Sequence, residues 1–164
     1  VEVIFVHQKL KYPKEEIPGR IKMWCDRQER SQQEVRDKLY SWGLYRDDCE
    51  NLIVTLIEGN YLNEERFARA YVSGRFRIKR WGRNKILKGL KEKRVSTFCI
   101  RLGMSEISDD DYLNTLEELI DKKLKLISSG SDLEIQQKVG MYLLQRGFES
   151  ELVWPAVRKI SEKS

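Results

Sequence analysis

The chain has 164 residues, 35% charged and 40% hydrophobic, enough for one domain or a short run of repeated units with a core to bury. Ten Gly and three Pro are too few turn residues for most β-rich folds, and the single histidine, His7, excludes a multi-histidine metal site and argues against triad hydrolysis. The net charge of +5 conceals an asymmetry: residues 67–101 carry 12 basic residues and one acidic, Glu92, whereas residues 102–164 carry 8 basic and 12 acidic.

At the N-terminus Val1, Val3 and Phe5 alternate with Glu2, Ile4 and Val6. The spacing is strand-like, but a lone strand has no partner, so residues 1–14 are expected to form a tail or docking segment. Ile17, Ile21 and Trp24 predict a short first helix. Ser31-Gln32-Gln33-Glu34 reads as a capping box that opens a helix carrying Val35 and Leu39 and stopping at Gly43. Cys49, Leu52, Ile53 and Leu56 supply the next stripe at i, i+3, i+4, i+7, with Asp47 and Glu50 as a variant of the box.

The middle of the chain repeats this order. Phe67, Tyr71, Gly74 and Ile78 form a long stripe, and Ile86 with Leu90 a shorter one. Arg94 takes the left-handed stop position that Gly43 and Gly147 hold in the other copies, a non-glycine choice costing about 1 kcal/mol. Ser96 caps the helix of Cys99 and Ile100. Ser108 precedes Asp109, Asp110 and Asp111, which on successive helical positions point apart; they suit a helix N-terminus and not a shared cation. Leu116, Leu119, Ile120 and Leu124 form the third long stripe, and Ser131 with Glu134 a second capping box. Val139 and Leu143 then lead to a last stripe in which Pro155 predicts a kink or a delayed start. Residues 161–164 read as a frayed end.

Three eight-residue patterns coincide. Val35, Leu39, Gly43, Leu44, Cys49, Leu52, Ile53 and Leu56 have the same relative spacing as the set beginning at Ile86 and the set beginning at Val139. Eight matched offsets in three copies identify an internal repeat of three helices per unit. The expected architecture is all-α, about nine helices in three tandem three-helix repeats forming an elongated, curved body. The expected divisions are 15–62, a basic repeat over 63–107, and 108–160.

Cys25, Cys49 and Cys99 are scattered, with no C-x-x-C pair, and read as buried, reduced thiols. No apolar run approaches the roughly 20 residues a bilayer span needs, and the expectation is a soluble, cytoplasmic protein. G-x-G-x-x-G, P-loop, H-E-x-x-H and G-x-S-x-G motifs are all missing, so no enzyme activity and no cofactor are expected.

The basic segment is the candidate site. A helical wheel puts Arg69, Arg75, Arg77, Lys79 and Arg80 opposite the Phe67 stripe, with Phe76 among them as a stacking or packing contact. Arg83, Lys85 and Lys88 continue the charge onto the next helix across the Trp81-Gly82 joint. Basic residues interleaved with aromatics suit an anionic partner that offers phosphates and bases. Trp81 reads better as a packing residue, because it sits at a junction; Trp24, Trp42 and Trp154 also read as core.

Gly59-Asn60-Tyr61-Leu62-Asn63-Glu64-Glu65-Arg66-Phe67-Ala68-Arg69-Ala70-Tyr71 resembles the central motif of the RecX regulatory proteins. Gly82-Arg83-Asn84-Lys85-Ile86 with Leu90 resembles that family's following helix, and Cys25 through Ser31 with Val35, Leu39 and Gly43 its first repeat. Arg94, where the family usually has Gly, and the strand-like residues 1–12 depart from it. The resemblance implies a modulator of the RecA recombinase that binds the groove of the RecA–DNA filament and lowers strand exchange and ATP hydrolysis. It implies a RecA filament as partner; weak binding of single- or double-stranded DNA, no membrane partner and a monomer are the accompanying expectations. Two alternatives stay open: a direct, non-sequence-specific nucleic-acid-binding module, and a protein-interaction solenoid that meets an acidic protein without DNA.

Overall fold

The computed structural model describes residues 9–160, so the strand-like segment at the N-terminus and the frayed end at 161–164 lie outside the described residues. Among the described residues there are nine α-helices and no strand: α1 (Ile17–Asp26), α2 (Gln32–Ser41), α3 (Arg46–Glu58), α4 (Glu64–Arg77), α5 (Arg83–Glu92), α6 (Thr97–Met104), α7 (Asp109–Leu124), α8 (Asp132–Gln145) and α9 (Ser150–Arg158). They fall into three tandem groups of three.

Helix starts follow the sequence closely. Ser31 Oγ accepts the Glu34 N–H at 3.1 Å while the Glu34 carboxylate accepts the Ser31 N–H at 2.9 Å. Ser131 and Glu134 repeat the box at 3.4 and 2.8 Å. Ser96 caps α6 and Ser108 caps α7. Among the caps expected from sequence the exception is α3, which starts at Arg46 behind Tyr45 with no side-chain cap. Glu50 is drawn away by Arg36, whose guanidinium donates to both its carboxylate oxygens at 2.5 and 3.0 Å. Asp47 and Asp48 instead lie in the first turn, where the helix dipole favours them.

The stop positions also hold. Gly43, Arg94 and Gly147 all have positive φ, at 88°, 54° and 96°. Pro155 does not interrupt α9, which runs through it. Its ring lies on the exposed side, and the single backbone bond it forfeits would have gone to the carbonyl of the equally exposed Glu151.

One stripe differs from its expectation. In α4 the buried positions are Phe67, Ala68, Val72 and Phe76, not Phe67, Tyr71, Gly74 and Ile78. The helix ends at Arg77, so Ile78 falls in the following turn and is 78% exposed. Tyr71 is half-buried and lies toward α5. Hydrophobicity alone ranks Ala68 low and Tyr71 high, and so selects the neighbouring face.

Within the described residues the chain forms two compact units, one up to Phe67 with Lys93–Val95, the other Ala68–Glu92 with the residues from Ser96 onward. The first has its core in Ile17, Ile21, Cys25, Val35, Leu39, Trp42, Cys49, Ile53, Leu56 and Leu62. Each fully buried aliphatic side chain here contributes about 1.5–3 kcal/mol. Tyr12 meets Trp42 edge-on at 5.3 Å, and Lys11 N–H donates to the Trp42 carbonyl at 3.0 Å. Lys93 donates to Glu34 at 2.6 Å. Burial raises the Glu34 carboxyl, but hydrogen bonds from Lys93 and the Ser31 backbone, with the Lys93 and Arg30 charges, outweigh it and hold the group below its ordinary 4.5. The three cysteines are buried and none forms a disulfide, and burial pushes the Cys25 and Cys49 thiols up to about 11.

The second unit is closed by a joint between the α4–α5 turn and the α8–α9 turn. Gly82 N–H donates to the Arg146 carbonyl at 2.8 Å, and Asn84 N–H to the Gly147 carbonyl at 2.9 Å. The backbones touch: a Cβ on Gly82 would lie 2.2 Å from the Gly147 carbonyl carbon, and one on Gly147 would lie 2.3 Å from Lys85 Cβ. Arg146 completes the joint by donating to the Arg80 carbonyl at 3.2 Å and to that of Lys79. Beneath it Tyr112, fully buried, stacks on Phe76 at 5.9 Å and tilts against Phe148 at 5.0 Å. Its hydroxyl accepts the Arg83 N–H at 2.9 Å and donates to Glu149. Burial and that bond to Glu149 raise the Tyr112 pKa, keeping the hydroxyl protonated as a donor.

Candidate nucleic-acid interface

The basic segment spans α4, the joint and α5, and the fold sorts its charges into two sets. Three arginines face carboxylates of the acidic third group and the turn before it. Arg69 pairs with Glu106 at 2.8 Å, Arg80 with Glu118 at 2.5 Å, and Arg83 with Asp109 at 2.6 Å and Glu149 at 3.9 Å. Arg83 also lies 4.0 Å from the centre of the Tyr112 ring. These pairs are partly exposed and contribute only about 0–1 kcal/mol each. Their effect is to neutralise, inside the molecule, much of the charge contrast between residues 67–101 and 102–164.

The second set has no carboxylate partner among the described residues, apart from an exposed Lys88–Glu92 approach at 4.0 Å. Arg77, Lys79, Lys85, Lys88 and Lys91 are exposed, and Arg75 is half-buried. Lys85, Lys88 and Lys91 follow one side of α5 at i, i+3, i+6. Arg75 lies 4.9 Å from the ring centres of both Tyr71 and Trp81, and Lys85 Nζ 4.6 Å from that of Trp81. Trp81 is therefore half-buried with two cations near its ring, neither core nor free. Phe76 is placed otherwise than the helical wheel suggests: it is 4% exposed and packs on Tyr112, so it holds α4 to α7 and offers no ring to a partner.

The residues the wheel missed are Tyr71 and Tyr112. Tyr71 read as core, yet it lines a cavity of about 200 Å³ with Trp81, Lys85, Lys88, Gly89 and Glu92. A signal was present in Gly89, since a glycine inside a helix costs roughly 0.5–1 kcal/mol relative to Ala and marks a close approach. Among the described residues no group of His, Cys, Asp or Glu is disposed to hold a metal, and no helix is long and apolar enough to cross a membrane.

Tandem three-helix groups define a helical-repeat protein, here with a surface of cations that lack a close carboxylate partner among the described residues. Comparison with known proteins gives the family. The RecX second three-helix domain matches residues 63–103 and the RecX third three-helix domain residues 109–157, together more than half of the chain. Regulatory protein RecX of Clostridium perfringens (strain 13 / Type A) is 31% identical over 134 residues, which are 80% of this chain and 62% of that protein. Regulatory protein RecX of Acinetobacter baylyi is 29% identical over 141 residues, 84% of this chain and 83% of that one. The crystal structure of RecX from Lactobacillus salivarius shares the fold at a TM-score of 0.78, with 21% identity, over 90% of this chain and 96% of its own. The chain belongs to the RecX family, and it spans about three-fifths of the length of its clostridial relatives.

Proposed function

We propose that this protein binds the RecA–DNA filament in the cytoplasm and lowers the recombinase and ATPase activity of RecA, acting as a monomer with no turnover of its own. Family membership supports the regulatory role, and the resemblance of the Gly59–Tyr71 segment to the RecX central motif supports RecA as the target. The observation that carries the reading on this chain is the set Arg75, Arg77, Lys79, Lys85, Lys88 and Lys91, which among the described residues meets a carboxylate only in the exposed Lys88–Glu92 approach. A filament presents phosphates and acidic side chains along a groove, and many weak cationic contacts suit it. Arg69, Arg80 and Arg83 then serve the face indirectly, by fixing α4, the joint and α5 against the third group.

The test is equilibrium binding to RecA alone, to single-stranded DNA alone and to the assembled filament, at two salt concentrations. Filament binding much tighter than either component alone, with RecA-dependent ATP hydrolysis reduced, is the expected result. A second reading, direct binding to nucleic acid without RecA, is favoured by the two cations near the Trp81 ring. Binding to naked DNA as tight as to the filament would select it. ATP or DNA hydrolysis by the purified protein, lost on a single substitution, would contradict the absence of turnover.

A further inference from the structure

The cavity between α4 and α5 has a composition that a simple phosphate-contacting face does not need. It is lined by two aromatic residues, Tyr71 and Trp81, two lysines, Lys85 and Lys88, and by Gly89 and Glu92. At about 200 Å³ it is smaller than the ~300–1,000 Å³ pockets that enclose whole drug-sized ligands, and suits a single ring system attached to something that stays outside. Gly89 is built into it: a Cβ there would lie 2.1 Å from the Tyr71 hydroxyl, so the glycine lets the tyrosine lie against α5. The Arg75 guanidinium, over both rings, holds them in one cationic ladder with Lys85.

We propose that this cavity is a nucleotide subsite for single-stranded nucleic acid, taking one unpaired base against Tyr71 and Trp81 and the adjoining phosphate on Lys85 and Lys88. The inference rests on the reading that the α4–α5 face meets the nucleic acid of the filament, and it names what that face reads. Aromatic rings stack on any base, so the subsite is indifferent to sequence but distinguishes a strand with bases from a bare phosphodiester. Glu92 repels phosphate and lies 4.0 Å from Lys88, so Lys85 is the main phosphate contact and Lys88 the second. A duplex keeps its bases stacked and paired and cannot fill the cavity without flipping one out.

The experiment compares the whole chain's affinity for oligothymidine with its affinity for an abasic phosphodiester of equal length. Wild type should prefer the oligothymidine about tenfold or more. Tyr71→Leu and Gly89→Ala should each abolish that preference while leaving the salt slope unchanged. Gly89→Ala gains helix propensity but pushes the Tyr71 ring aside, so the melting temperature of each variant is measured with its binding. Lys85→Gln with Lys88→Gln should keep the preference and reduce the salt slope by roughly two. Equal wild-type affinity for the two probes would overturn the subsite, as would a preference that survives both Tyr71→Leu and Gly89→Ala. Polyglutamate binding as tightly as oligothymidine would reassign the face to an acidic protein. Inhibition of RecA by wild type, measured alongside, separates the two levels: inhibition without a base preference sinks the subsite alone, and a base preference without inhibition sinks the RecA reading alone.

Discussion

The two sides of the α4–α5 segment carry similar charge and opposite commitments. On one side Phe76, Arg80, Gly82 and Arg83 are absorbed by the third group of helices through Tyr112, Glu118, Asp109 and the Gly147 backbone. On the other, Arg75 and Lys85 lie over aromatic rings, and Arg75, Arg77, Lys79, Lys85 and Lys88 have no carboxylate partner among the described residues beyond the exposed Lys88–Glu92 approach. The difference teaches that a run of basic residues is not a surface. Which cations are available is decided by carboxylates 26 to 38 residues away in the chain, and for Arg83 also by Glu149, further still. Substitutions on the two sides should therefore part company, the first set acting on stability and the second on binding.

The largest effect is expected at the joint. Gly147→Val would place a branched side chain against the backbone of Lys85, at a position already held at positive φ. Overpacking and left-handed strain together predict a loss of about 3 kcal/mol or more. That corresponds to a fall of roughly 6–12 °C in Tm for a chain of this size, followed by circular dichroism. A melting temperature within a degree of wild type would show that the joint does not bind the second unit together.

Tyr112→Phe comes next, removing the hydroxyl that serves Arg83 N–H and Glu149 but keeping the ring between Phe76 and Phe148. A destabilisation of about 1–3 kcal/mol is expected, with inhibition of RecA unchanged at a temperature where the variant is folded. Weakened inhibition by a fully folded Tyr112→Phe would blur the two sides.

A smaller effect concerns pH and the first unit. The folded state holds the Glu34 carboxyl below its ordinary 4.5, so the stability it contributes is fully present above that value and is lost as pH falls through the folded pKa. Glu34→Gln should flatten the acid limb of Tm against pH below about 4.5 and leave the neutral region nearly parallel to wild type. An unchanged acid limb would remove Glu34 from the account. Smallest of all, Lys123→Glu with Lys125→Glu, in the acidic third group, should change both stability and RecA inhibition very little.

Much of this fold is legible in the sequence because repetition multiplies weak signals. One left-handed stop is ambiguous, but Gly43, Arg94 and Gly147 at the same offset identify one another, and all three have positive φ. Serine caps are legible because the bond is local, three residues apart. What escaped depends on distant partners. Glu50 scans as a capping residue until Arg36, fourteen positions earlier, takes its carboxylate. Phe76 scans as exposed until Tyr112 arrives from α7, and Tyr71 as core until Gly89 opens a place for it beside α5. The basic character of the site was readable from composition; its division into a structural half and an available half was not.

The measurement that bears most directly on the account is RecA-dependent ATP hydrolysis on single-stranded DNA in the presence of Arg75→Glu with Lys85→Glu, set beside Arg80→Gln with Arg83→Gln. The first pair gives up three cation–π contacts, so it should lose about 1–2 kcal/mol yet stay folded at the assay temperature, and lose inhibition by tenfold or more. The second should also melt below wild type and, while folded, inhibit close to it. A folded Arg75→Glu, Lys85→Glu protein that inhibits like wild type would contradict the account and move the contact to another surface.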